Sequence, residues 1–139
     1  MKYSFLAILI CAACFCSCKK SSGDDHIVYL REKSISEVKD ELRGDWQIHY
    51  KYGGMTGSLK TELPGSFLRL KANDSIDVVI NSFASSSKAV FERSVTIFGY
   101  EAVIMNFSMG NWIIDHKIND TLVLTTNHVE PESYMLTRF

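Results

Sequence analysis

The stretch Ala102–Thr126, AVIMNFSMGNWIIDHKINDTLVLTT, decides the fold. It divides into three runs, Ala102–Met109, Trp112–Ile118 and Thr121–Thr126, in which apolar residues recur at every second position: Trp112, Ile114 and Ile118, then Leu122 and Leu124. That period belongs to a strand, whose side chains point alternately to opposite faces. Gly110-Asn111 and Asn119-Asp120 separate the runs. Glycine and asparagine tolerate the positive φ that two-residue hairpins require, so each run folds back beside the one before it.

The same grammar extends in both directions. Upstream it gives Trp46–Tyr52, Phe67–Ala72, Ser75–Asn81 and Ala89–Phe98, with turn signals at Asn73-Asp74 and Gly99-Tyr100; downstream it gives Ser133–Phe139. Eight antiparallel strands in one small domain bury their apolar faces best by closing, which also removes exposed edges. The expected fold is all-β: an eight-stranded antiparallel up-and-down barrel with a short N-terminal helix, with an open sandwich as the alternative. Alternation assigns an inner face of Trp46, Ile48, Tyr50 and Tyr52; Leu68 and Leu70; Ile76, Val78 and Ile80; Trp112, Ile114 and Ile118; Leu122 and Leu124; Tyr134 and Leu136. These side chains are large enough to fill a small barrel.

Ahead of the strands, Ser34-Ile35-Ser36-Glu37 has the form of a capping box, and Ile35, Val38 and Leu42 make one apolar helical face. Gly44 can end that helix in a left-handed conformation. The segment from Gly53-Gly54-Met55-Thr56-Gly57 to Pro64-Gly65 reads as a long mobile loop, and Ser85-Ser86-Ser87 as a flexible one.

The N-terminus carries a different message. Lys2 precedes an uncharged apolar stretch, Ser4–Phe15, of the length of a signal-peptide core. A membrane span needs roughly 20 apolar residues, and this stretch meets Lys19 and Lys20 too soon. Ser17 before Cys18 resembles a lipobox, so residues 1–17 are expected to be a lipoprotein signal peptide. Cys18 is then the lipidation site, carrying acyl chains such as palmitate. Residues 18–33 follow as a lipidated tether, and residues 34–139 as the barrel domain. Cys11, Cys14 and Cys16 leave with the signal, so no disulfide forms within the mature chain, and the zinc-like spacing of Cys11 and Cys14 carries no metal site. The expected location is the bacterial cell envelope, at the outer membrane, either facing the periplasm or exposed on the surface.

Gly44-Asp45-Trp46 is a G-x-W placed after a short helix at the start of the first strand, and it resembles the corresponding motif of lipocalins. In that family an arginine of the last strand packs over the tryptophan at the closed end of the barrel. The resemblance therefore implies a barrel-closing pair of Trp46 and Arg138. Leu42–Trp46, the Gly53–Gly57 loop and Asp120–Leu124 are similar to lipocalin-like lipoproteins of Gram-negative anaerobes. The second lipocalin motif departs from the family at Leu122, where an aromatic residue is usual. The likeness covers residues 42–139.

Composition narrows the function further. The chain has 15 Lys and Arg against 16 Asp and Glu, with no basic stripe interleaved with aromatics, so nucleic-acid binding is not expected. Gly53–Gly57 lacks the Gly-Lys-Ser/Thr ending of a phosphate loop. His26, His49, His116 and His128 have no metal-binding spacing, no Gly-x-Ser-x-Gly elbow is present, and Asp45, Asp77, Glu92 and Asp115 have no evident acid/base partner. Neither an enzyme nor a cofactor is expected.

Arg93 and His116 share the apolar parity of their strands. If they face inward, with Tyr50 or Tyr52 supplying a hydroxyl, the four could bind the charged head of a small apolar or amphipathic ligand. The bland alternative places Arg93 and His116 in water near strand ends. Two function classes follow: a membrane-anchored lipoprotein that binds a small ligand in its barrel, or a filled barrel that acts through its outer surface as an interaction or inhibitor module of the envelope.

Overall fold

The computed structural model describes residues 25–53 and 59–139. The signal segment, Cys18 and the Gly54–Gly57 part of the glycine-rich loop lie outside the described residues. In chain order the elements are β1 (Ile27–Tyr29), a 3-10 turn (Leu30–Glu32), α1 (Ile35–Leu42), β2 (Gly44–Gly53), β3 (Lys60–Leu70), β4 (Ser75–Ile80), β5 (Phe83–Lys88), β6 (Val90–Val95), β7 (Glu101–Phe107), β8 (Gly110–Ile118), β9 (Thr121–Thr126) and β10 (Glu132–Arg138).

The strands form one antiparallel sheet in the order β5-β4-β3-β2-β10-β9-β8-β7-β6, with β1 added to the far half of β8. First and last strands of the meander, β2 and β10, pair along most of their length, from Arg138 opposite Trp46 to Glu132 opposite Gly53. The sheet curls into a half-barrel. Its two edges, β5 and β6, are consecutive in the chain and separated only by Ala89, which is buried.

The concave face is filled. Trp46, Ile48, Leu68, Leu70, Ile76, Val78, Trp112, Ile114, Leu122, Leu124, Tyr134 and Leu136, all assigned inward by alternation, are buried in one core cluster. Leu63, Val103 and Met105 join them. At one end the core is capped by α1, which buries Val38 and Leu42 and begins with both halves of its capping box at Ser34 and Glu37. This is the closed end. There the Trp46 indole N–H donates to the Leu42 carbonyl at 2.7 Å, and Arg138 lies 4.5 Å over the Trp46 ring. The same guanidinium donates to the carbonyls of Glu41 (2.7 Å) and Arg43 (2.9 Å), satisfying acceptors that the end of a helix leaves open.

Four features differ from the alternation-based expectation. His49 is an extra residue in β2: Ile48 pairs with Leu136, but Tyr50 pairs with Met135. Opposed residues share a face, so the bulge turns Tyr50 and Tyr52 away from the core and brings Lys51 in beside Tyr134. Asp115 is the equivalent extra residue in β8, where Ile114 pairs with Leu124 and His116 with Val123. That bulge removes His116 and Ile118 from the inner parity and gives Lys117 the face of Leu122.

Ser85-Ser86-Ser87, expected as a flexible loop, is strand β5. Its hydroxyls are satisfied by neighbours: Ser86 donates to Asp77 at 2.6 Å, Ser85 bonds to Ser108, and Ser87 accepts from the Ser108 amide at 3.3 Å. Finally, Lys60–Ser66 belongs to β3 rather than to a loop. Pro64 is tolerated because it falls where the β2–β3 register shifts, between Glu62 opposite Tyr50 and Ser66 opposite Ile48.

Candidate functional site

The end opposite α1 is open. Here the β7–β8 turn, the start of β8, the end of β9 and the loop leading into β10 surround a concavity of about 450 Å³. Met109 and Trp112 supply its apolar wall, and Asn111, Thr126, Asn127, His128, Glu130 and Glu132 its polar groups. Trp112 itself is buried, stacked on Tyr134 with centroids 4.7 Å apart and rings 11° from parallel, and met edge-on by Phe107 at 5.2 Å. The aromatic stack seals the filled core beneath the concavity.

The polar side is organised by hydrogen bonds. Tyr134 donates to Glu132 at 2.8 Å, and Lys51 pairs with the other oxygen of the same carboxylate. Burial by itself would raise the Glu132 pKa, but the bonds from Lys51 and Tyr134 outweigh it and hold the group below the usual carboxylate range. Burial first, and the neighbouring Glu132 second, push the Tyr134 hydroxyl above the ordinary tyrosine range. The Thr126 hydroxyl accepts from the Glu132 amide at 2.9 Å. Asn127 is fixed twice, through its amide to the Asn111 carbonyl (2.8 Å) and through its side-chain oxygen to the Ile97 amide (2.9 Å). His128 Nδ1 accepts from the Glu130 amide at 3.3 Å.

None of the four ligand candidates named from the sequence lines this concavity. Tyr50 and Tyr52 contact each other edge-on at 5.3 Å on the outer face, and Lys60 lies 4.2 Å over the Tyr50 ring. Arg93 keeps its inward parity but is spent on backbone, donating to the carbonyls of Arg31 (2.7 Å) and Lys33. His116 bonds Asp115 at 3.0 Å and sits beside Tyr29, 6.2 Å between ring centres. Arg93 and His116 therefore meet the same N-terminal strap, residues 27–33, and not each other's ligand. Trp46 and Arg138 are together at the opposite, closed end.

Of the residues that surround the concavity, alternation places Trp112 inward, whereas Met109, Asn127, His128 and Glu130 lie in turns, where alternation says nothing, and Asn111, Thr126 and Glu132 lie at the strand ends beside them. The available signal was Asn127–Glu132, a polar loop with two glutamates about Pro131, set between two strongly periodic strands.

Among the described residues no three His, Cys, Asp or Glu side chains are grouped to hold a metal, and no helix is long and apolar enough to cross a membrane. Compared with protein-family models, curated proteins and solved structures, the chain matches none.

Proposed function

We propose that the chain is a non-enzymatic lipoprotein of the bacterial envelope, anchored through acylated Cys18, whose domain is a lipocalin-like barrel that holds a small amphipathic ligand at its mouth. In this reading β5 and β6 are the two halves of one strand bent at Ala89, which makes the meander eight strands round. The observation that carries the ligand claim is the concavity of about 450 Å³ lined by apolar and polar residues together, a size and mixture usual for small-molecule sites. The filled interior supports a ligand held at the mouth rather than along the barrel axis.

The lipid anchor rests on the signal-like N-terminus and the lipobox-like Ser17-Cys18. The chain enters the domain at the closed end, where the His26 amide donates to Asn119 in the β8–β9 turn at 3.1 Å. An anchor at Cys18 would thus hold the closed end toward the bilayer and leave the mouth facing water. Cys18→Ser is expected to leave the domain folded and move it from the membrane fraction to the soluble one, because several acyl chains together supply the membrane affinity. A variant that still sediments with membranes after a high-salt wash would refute the anchor.

Asn111→Trp tests the mouth. Asn111 is exposed on the rim, so an indole there occupies the concavity without disturbing the core, and saturable binding of eight-carbon amphiphiles is expected to disappear. Undiminished binding would place the ligand elsewhere. A second reading, an interaction module that works through its outer surface, is favoured by the exposed Phe83, Val90, Val95, Ile97 and Phe98 on β5, β6 and the following loop; it predicts no saturable small-molecule binding at all.

A further inference from the structure

The hydrogen-bonding inventory of the mouth points to a ligand class, and this inference rests on the mouth being a binding site. Glu132 is already neutralised, with one oxygen taken by Lys51 and the other by Tyr134. Among the described residues no Lys or Arg lines the concavity. An anionic head group would therefore find no cation and would face Glu130. A cationic head group would find one uncompensated carboxylate, Glu130, but also residues with N–H donors lining the same space.

Those donors come from two side chains. Asn127 uses its oxygen on Ile97, which leaves its NH₂ as the unused half of the amide. His128 Nδ1 accepts from the Glu130 amide, so the neutral ring carries its proton on Nε2. Among the described residues these two donors, the Asn111 side-chain amide and the Glu130 carboxylate have no hydrogen-bonding partner. Donors and acceptors are mixed within one small space, beside the apolar wall of Met109 and Trp112.

A hydroxyl group both donates and accepts, and so can use donors and acceptors that a single charged group would leave half unsatisfied. Neighbouring hydroxyls on a ring with an apolar C–H face match the whole set. We infer that the mouth binds a neutral, hydroxyl-rich ring, a saccharide unit, with its C–H face toward Met109 and its hydroxyls shared between Glu130, Asn111, Asn127 and His128.

Three probes with one tail and three heads test this: octyl glucoside below its micellar concentration, octanoate and octyltrimethylammonium, each titrated into the folded domain by calorimetry. Octyl glucoside is expected to bind at least about tenfold tighter than either ion, and Glu130→Ala to weaken it by about tenfold, the loss of one hydrogen bond to a charged acceptor. Glu130 is exposed, so the variant folds as the parent does, which its unfolding midpoint verifies. If either ion binds as tightly as the glucoside and is displaced by Asn111→Trp, the saccharide assignment is overturned while the mouth site stands. Binding by none of the three overturns both.

Discussion

Glu132 illustrates how a single carboxylate can serve stability and a site together. Its neighbours hold its pKa down against burial, so the folded state binds a proton there less readily than the unfolded chain does. The stability this contributes is fully present above the ordinary glutamate value of about 4.3 and is lost as pH falls through the lower folded value. Glu132→Gln is expected to lower the unfolding midpoint at pH 7 and to shrink the difference between midpoints at pH 7 and pH 3. It shrinks that difference without abolishing it, because Glu41, bonded to Lys33 and Lys117, has its pKa lowered too. An unchanged acid limb in the variant would show that the Lys51–Glu132–Tyr134 group is not formed in solution. Gly53 works beside it by leaving space: its φ is +122°, and a Cβ there would stand 2.2 Å from the Pro131 carbonyl, so the end of β2 can lie against the mouth loop only without a side chain.

At the scale of elements, the two bulges explain which inferences from sequence succeed. Alternation places the inner faces of β4, β9 and the first half of β8 correctly, because a regular strand repeats every two residues. One extra residue, His49 or Asp115, reverses the parity beyond it, and nothing in the local pattern of Ile48–Tyr52 or Ile114–Ile118 marks the insertion. Tyr50, Tyr52 and His116 were therefore legible as strand residues, while the face each presents was not. β5 was hidden for another reason: Phe83–Lys88 is too polar to carry a hydrophobic period, and its pairing with β4 is supported by serine hydroxyls that only the tertiary structure supplies with partners. Trp46 and Arg138 were legible because a resemblance, rather than periodicity, singled them out.

Arg93 also belongs to this scale, since it ties β6 to the N-terminal strap. Arg31 reinforces the tie, lying over Tyr29 at 4.6 Å and facing Asp115 at 3.7 Å. Arg93→Met keeps bulk and removes the donors to the Arg31 and Lys33 carbonyls. Amide exchange is expected to accelerate in β1 and the 3-10 turn while β2, β9 and β10 keep their protection. Equal acceleration throughout would mean that the strap opens only with the whole domain.

On the scale of the molecule, the two ends of the sheet are built differently. The closed end carries α1, Trp46, Arg138 and the incoming N-terminus; the open end carries the concavity over the Trp112–Tyr134 stack. Between them the interior is filled with side chains, so a ligand has room at the mouth and none along the axis. The sequence has two tryptophans, and they stand at opposite ends of the core, which makes their indole N–H resonances independent reporters. In a ¹⁵N-correlated spectrum of the folded domain titrated with octyl glucoside, the Trp112 indole signal should shift saturably while that of Trp46, bonded to the Leu42 carbonyl beneath Arg138, stays in place. A saturable shift of Trp46, or no shift of Trp112, would contradict a ligand held at the mouth above a filled barrel.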